Sequence, residues 1–149
     1  FEGMRKAGNL AASTLDLLVD HVKPGVSTDE LDYFAFEFIT KNGGLIAPLF
    51  YKGFPKSICT SINHVICHGI PSSRILEEGD IVNIDVTVIV DGWHGDTSRM
   101  FPVGKINAKA QKLIDCTFQS MHIYVDPQAP HYFFLVPSQF VPPYYMSRK

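Results

Sequence analysis

Ile81-Val82-Asn83-Ile84-Asp85-Val86-Thr87-Val88-Ile89-Val90-Asp91-Gly92-Trp93-His94-Gly95-Asp96-Thr97-Ser98-Arg99-Met100-Phe101 is the stretch on which the fold turns. Its first ten residues alternate between two sets. Val82, Ile84, Val86, Val88 and Val90 form a wholly aliphatic face, while Ile81, Asn83, Asp85, Thr87 and Ile89 form a face that is polar in its middle. A period of two is the signature of a half-buried strand. Asp91-Gly92 is a two-residue hairpin signal, so Trp93 to Val103 is predicted to return antiparallel with Val90 facing Trp93. Carried along the ladder, that register sets Thr87 opposite Asp96 and Asp85 opposite Ser98. Directly paired residues share a face, which makes Asp85 and Asp96 diagonal neighbours. A bulge at Gly95 or an odd loop length would reverse the parity and separate the two carboxylates.

Upstream of the hairpin the periodicity changes. Ala7, Ala11, Leu15, Leu18 and Val22 recur at three- and four-residue steps, one face of an amphipathic helix that begins near Met4 and that Lys23-Pro24-Gly25 ends. Ser27 with Glu30 is a capping box, and Leu31, Phe34, Ala35 and Phe38 then line a second helix stopped by Asn42-Gly43-Gly44. Beyond Gly44 come short β-favouring stretches, Ser57 to Ile62 and Val65 to His68, punctuated by Gly and Pro. The fold class expected is therefore α/β (α+β), two helices followed by an antiparallel sheet. After about Met121 the prolines Pro127, Pro130, Pro137, Pro142 and Pro143 interrupt an aromatic tail in which no helix is expected, although His131 to Val136 has the composition of a short strand. The division expected is a domain over residues 1–121 and a divergent tail over 122–149.

The chain of 149 residues carries 13 Lys+Arg against 15 Asp+Glu, a formal net charge of −2. That balance offers no basic field for a phosphate backbone, which argues against nucleic acid as a partner. No apolar run approaches membrane-spanning length, and three cysteines make no even disulfide framework, so a reducing cytoplasmic setting without membrane contact is expected. The chain opens at Phe1-Glu2-Gly3 with neither an initiator Met nor a basic-then-apolar leader, as expected of a fragment.

Aspartate is depleted in strands and seldom buried without a partner, so Asp85 amid Val and Ile needs compensation. A metal ion would supply it: two carboxylates on one hairpin face suit hard or intermediate divalent cations, and a pair of such ions sits about 3.5–4 Å apart when bridged. The alternative is a solvated face on which Asp85 lies beside Asn83, Thr87 and Ser98. Cys59, His64, Cys67 and His68 are close in sequence but match no standard zinc spacing, and the cysteines read more simply as small buried residues. His68, before Gly69, can reach a cleft; His94 and His21 read as surface or supporting residues. Ser57, Ser61 and Cys59 lie near histidines, yet no nucleophile elbow and no Gly-rich phosphate loop is present, which argues against covalent hydrolysis and nucleotide chemistry.

Four blocks, Tyr51 to Ser61, Asn63 to Pro71, Gly79 to Thr87 and Asp91 to Phe101, taken in this order, closely resemble the bacterial-type methionine aminopeptidases, over about Met4 to Met121. The resemblance implies the pita-bread fold, here its N-terminal half only. In that fold two pseudo-symmetric halves enclose a pair of divalent ions (Co, Mn, Fe or Zn) that hydrolyse the N-terminal Met from nascent polypeptides. By the resemblance Asp85 and Asp96 are metal ligands, and His68 hydrogen-bonds the scissile amide of the substrate. Tyr51, Phe54 and Cys59 line the methionine pocket, and Asn63 and Val65 belong to a loop that holds a monovalent cation. The family is monomeric, and its remaining ligands, a His and two Glu, lie in the second half with another catalytic His and the glutamate general base. No Glu follows Glu78 in this chain, and His122 and His131 lack the family's Gly-His-Gly-Ile-Gly setting. The expectation is thus a truncated copy, inactive alone. Its apolar sheet face and one edge strand would be left uncovered and open to association, the aromatic tail partly covering that face. The other class is a non-catalytic interaction or regulatory protein that keeps half of the fold.

Overall fold

The structure is a computed structural model that describes residues 1–125. The expected strand at 131–136 and the proline-rich stretch around it lie outside the described residues. In chain order the elements are α1 (Glu2–Leu18), α2 (Thr28–Lys41), β1 (Leu45–Ile46), a 3-10 turn (Tyr51–Gly53), β2 (Cys59–Ile62), β3 (Ile81–Val90), β4 (Trp93–Pro102) and α3 (Ala108–Val125). Phe1–Ile114 forms one compact unit, and a second begins at Asp115, within α3.

β3 is the spine of the sheet. It pairs antiparallel with β4 along one edge and with β1 and β2 along the other. The hairpin register is the one read from the alternation: Val90 faces Trp93, Thr87 faces Asp96 and Asp85 faces Ser98, with no bulge at Gly95. Asp91 and Gly92 both take positive φ (50° and 82°), the left-handed pair that a two-residue turn demands.

α1 buries Ala7, Ala11, Leu15 and Leu18, the stripe its spacing predicts. It ends at Leu18, four residues short of Val22, which is nevertheless buried. α2 begins with both reciprocal bonds of the capping box, Glu30 N–H to Ser27 Oγ and Ser27 N–H to Glu30 Oε2, worth about 1 kcal/mol. Its buried face is Leu31, Ala35 and Ile39, together with one acid, Asp32. The two helices cover the aliphatic face of β3, where Val82, Ile84, Val86 and Val88 are fully buried in one core with Leu15, Leu18, Leu31 and Ile39. The expectation that this face stays uncovered is therefore corrected: helices within the same chain seal it. Full burial of each such side chain is worth about 1.5–3 kcal/mol. Among the described residues β4 pairs with β3 alone.

Three further readings change. α3 is a third helix that the sequence reading did not include, although Ala110, Ile114, Phe118 and Met121 recur at helical spacing; Asn107 just ahead of it accepts the Ala110 N–H (2.9 Å), and Ala108 to Leu113 are good helix formers. β2 starts at Cys59 rather than Ser57, because the Ser57 and Ile58 amides bond to the Asp32 carboxylate instead of a strand. Val65 to His68 forms no strand: Asn63 (φ 53°) and His68 (φ 55°) are both left-handed, which breaks an extended run at each end. Cys67, read as buried, is exposed in that loop; Cys59 is buried as read.

Candidate functional site

The polar face of β3 and the facing residues of β4 form the floor of an open cleft of about 820 Å³. Asp85 and Thr87 come from β3, Asp96 and His94 from β4. The Thr87 hydroxyl donates to Asp96 Oδ1 (3.1 Å), directly across the hairpin, which fixes one carboxylate. Asp85, two pairs further along and on the same face, is half-buried. Burial pushes its carboxyl above the usual range, the charge of Asp96 and a hydrogen bond with that side chain push the same way, and His68 pulls it back. A half-buried acid whose ionisation is made costlier by a second carboxylate on the same sheet face is the arrangement a cation relieves.

One wall of the cleft is the segment between β1 and β2. Ala47 N–H bonds to the Thr87 carbonyl (3.2 Å) and pins its start, after which Phe50, Lys52 and Gly53 take positive φ as the chain winds through the 3-10 turn. This conformation turns Tyr51 and Phe54 to the cleft, beside Pro48 and Pro55. Cys59 follows from β2, where it pairs with Asp85. Burial above all, then the neighbouring charge of Asp85, pushes its thiol up to about 11. Opposite stands His68. It is held in its left-handed conformation by Gly69, whose carbonyl accepts from Thr60 N–H (2.8 Å) and whose N–H donates to Ser61 Oγ (3.2 Å). A non-glycine residue at positive φ is uncommon, and such positions gather at functional sites.

Tyr51, Phe54, Cys59, His68, Asp85 and Asp96 thus line a single cleft, although they are spread over 46 positions of sequence. Asn63 and Val65 do not join them. They border a separate hollow of about 260 Å³, with Thr60, Ser72 and Arg74 among its other walls. There Asn63 is locked in place: its side chain donates to Asp80 Oδ1 (2.7 Å) and accepts the Ile81 N–H (3.0 Å). Sequence reasoning missed Thr87 as the support of Asp96 and Ile70 as a cleft residue; His94, read as a surface or supporting residue, is exposed and borders the cleft beside Asp96. The signal for Thr87 was available, since its position opposite Asp96 follows from the register.

Asp85 and Asp96 are hard oxygen donors on one face and fit a divalent cation as part of a ligand set. Among the described residues no group of three or more His, Cys, Asp or Glu side chains converges as a metal site. The pair therefore needs donors beyond those described to close a coordination sphere.

The thiols offer a direct check on the geometry. At pH 8 a group with a pKa of about 11 is ionised in roughly one molecule in a thousand, and the thiolate is the reactive form. Iodoacetamide at that pH will label the exposed Cys67 and Cys116 and leave Cys59 unmodified, as read by mass spectrometry of tryptic peptides. Raising the pH toward 11 will bring Cys59 into reaction. Equal labelling of all three at pH 8 would contradict its buried place behind Asp85.

The sequence profile of metallopeptidase family M24 matches residues 2–128. The chain is 60% identical over 121 residues to the methionine aminopeptidase of Rickettsia prowazekii, covering 81% of this chain and 47% of that protein. It is 52% identical over 124 residues to the Escherichia coli K12 methionine aminopeptidase, covering 82% and 47%. The crystal structure of the Rickettsia prowazekii enzyme superimposes with a TM-score of 0.78 at 61% identity, over 79% of this chain and 48% of that one. The chain spans about half the length of the curated relatives it matches. Among the described residues no helix is long and apolar enough to cross a membrane.

Proposed function

The chain belongs to metallopeptidase family M24 and carries part of its pita-bread fold, and from that premise we propose that the large cleft is one half of a site that removes methionine from the N-terminus of nascent polypeptides. The observation that carries this reading is the convergence of Asp85 and Asp96 on one face beneath the apolar wall of Tyr51, Phe54 and Cys59. The two carboxylates are the ligands this chain offers to a pair of divalent ions of the Co, Mn, Fe or Zn class. Metal bound there supplies Lewis acidity, which polarises a carbonyl and eases the ionisation of water. The chain's own residues do the rest of the positioning. Thr87 holds Asp96 toward the floor, so that its carboxylate is oriented before any cation arrives. The wall receives an unbranched apolar side chain, and its depth decides which N-terminal residue fits. His68, exposed at the rim, hydrogen-bonds the amide that is cut. Asn63, rigidly held beside Val65, fits the loop role of a monovalent-cation holder in the smaller hollow.

We infer that residues 1–121 make up the partial aminopeptidase domain, with 122–149 as a divergent tail. The complete site, on this reading, serves peptide N-termini in the cytoplasm, without membrane or direct nucleic-acid contact. Two carboxylates alone hold metal weakly and leave the reaction without a general base, so the chain by itself is inactive. A second reading, a non-catalytic interaction protein, is favoured by the same two-ligand count.

Titration calorimetry with Co²⁺ or Mn²⁺, beside methionine release from the peptide Met-Ala-Ser, tests this. The wild-type chain will bind the ion weakly and release no methionine. Because loss of mere supporting residues costs 10–100-fold in metal affinity, Asp85→Ala/Asp96→Ala will cost about a hundredfold or more. Unchanged metal binding in the double variant would remove the two aspartates from the ligand set. Methionine release by the wild type that the double variant loses would overturn the inactivity of the lone chain.

A further inference from the structure

Asp29 and Asp32 stand three residues apart on α2 and so share a helix face. Asp32 is 8% exposed, a burial that a carboxylate tolerates only when hydrogen-bonded. Its Oδ1 accepts two backbone amides from 25 and 26 residues away, Ser57 N–H at 2.7 Å and Ile58 N–H at 3.1 Å. Lys56, the residue before them, sets its Nζ 2.7 Å from Asp29 Oδ1 and 4.0 Å from Asp32 Oδ2. One turn of α2 therefore tethers three consecutive residues of the approach to β2. The flanks of that tether are cleft residues: Phe54 and Pro55 precede it and Cys59 follows it. Ile58 is fully buried in the core, and Cys59, next along the strand, turns the other way and meets Asp85. The wall segment is thus anchored at its start by Ala47 on the Thr87 carbonyl and at its end by Asp32.

Resting on the functional reading above, we propose that Asp32 is a positioning residue of the cleft: through the amides of Ser57 and Ile58 it sets the wall of Phe54 and Cys59 against Asp85 and fits the cleft to an unbranched apolar N-terminal side chain. It does not touch the substrate. It acts through the backbone it holds, and any change that moves its oxygen moves the wall. The role requires an acceptor oxygen at that place, not a charge, because both bonds come from backbone N–H groups.

The test compares the purified chain with Asp32→Ala, Asp32→Asn and Asp32→Glu, and with Ile39→Ala as a control that opens a cavity on the same helix at a fully buried site away from the tether. The first readout is the rate of Cys59 alkylation by iodoacetamide relative to Cys67 in the same molecule, below the melting temperature. Leaving two buried amides without an acceptor raises that ratio about tenfold or more in Asp32→Ala. Asp32→Asn restores the wild-type ratio, Asp32→Glu raises it, and Ile39→Ala leaves it unchanged. A wild-type ratio in Asp32→Ala, or the same rise in Ile39→Ala, overturns the proposal. If Asp32→Ala does not fold, equal ratios in Asp32→Asn and Asp32→Glu overturn it. The second readout is the amide shifts of Phe54 and of Lys56 to Cys59 on adding Met-Ala-Ser against Ala-Ala-Ser. A preference for the Met peptide that Asp32→Ala loses and Asp32→Asn keeps supports the fit. No preference in the wild type overturns both that fit and the functional reading, while the alkylation ratio still decides the anchoring.

Discussion

Gly95→Ala will lose about 3 kcal/mol of stability, the top of the usual overpacking range, with a urea midpoint lowered in proportion. Gly95 is buried in β4 where the backbone of α1 crosses it. A Cβ there would fall inside the contact distance of the Ala7 carbonyl and stand 2.5 Å from the Gly8 nitrogen. Those neighbours are main chain, which no rotamer change can move aside, so the helix must lift from the sheet it covers. The same crossing supplies its own control. Gly8 has nothing within 4 Å of its missing Cβ, and in a helix interior alanine is favoured over glycine by about 1 kcal/mol. Gly8→Ala will raise the midpoint while Gly95→Ala lowers it. A Gly95→Ala chain as stable as the wild type would mean that α1 does not rest on β4 as described.

Gly69→Ala will cost about 2–3 kcal/mol and, unlike Gly95→Ala, will disturb the cleft selectively. Here a Cβ would collide with the Thr60 carbonyl, lying 2.8 Å from its carbon and 3.0 Å from Ser61 Cα. The close approach exists because Gly69 exchanges bonds with Thr60 and Ser61. Pushing the loop off β2 breaks those bonds and carries away His68, the adjacent residue. In a proton–nitrogen correlation spectrum, the amides of residues 64–70 and 59–61 will shift strongly. Those of β4 will stay within line width. A spectrum changed equally everywhere would show that the loop is not a separately held part of the cleft.

Much of this was legible in the chain because two periodicities are unusually clean. The β3 alternation and the Asp91-Gly92 turn together determine every pair of the hairpin, and with them the meeting of Asp85 and Asp96, before any coordinate is known. The stripe of α1 is equally plain and the capping box marks where α2 starts, but on α2 the expected Phe34 and Phe38 are only half-buried, and Ile39 takes the buried place. What escaped has physical causes. Val65 to His68 has strand composition, but two left-handed residues bend it, and composition carries no record of φ at Asn or His. The late start of β2 depends on Asp32, an acid on the buried side of a helix 25 residues away, a tertiary bond no local pattern announces. α3 went unread although Ala110, Ile114, Phe118 and Met121 recur at helical spacing and Asn107 caps its start, because the proline-rich stretch that follows drew that part of the chain toward an irregular tail. The wall of the cleft is assembled from a turn, a strand and a loop, and the resemblance named its residues without showing how a backbone brings them together.

β3 also sets what kind of inherited change this protein can absorb. Its ten residues serve two clients at once, aliphatic side chains inward and carboxylate, amide and hydroxyl outward. Exchange of one aliphatic residue for another leaves that division intact. Gain or loss of a single codon inside the strand does not, since every residue beyond it changes sides, Asp85 or its valine neighbours among them. Lineages carrying this segment can therefore drift in letter but not in length, and an alignment gap opened within 81–90 would mark a chain that has given up the cleft, the core, or both.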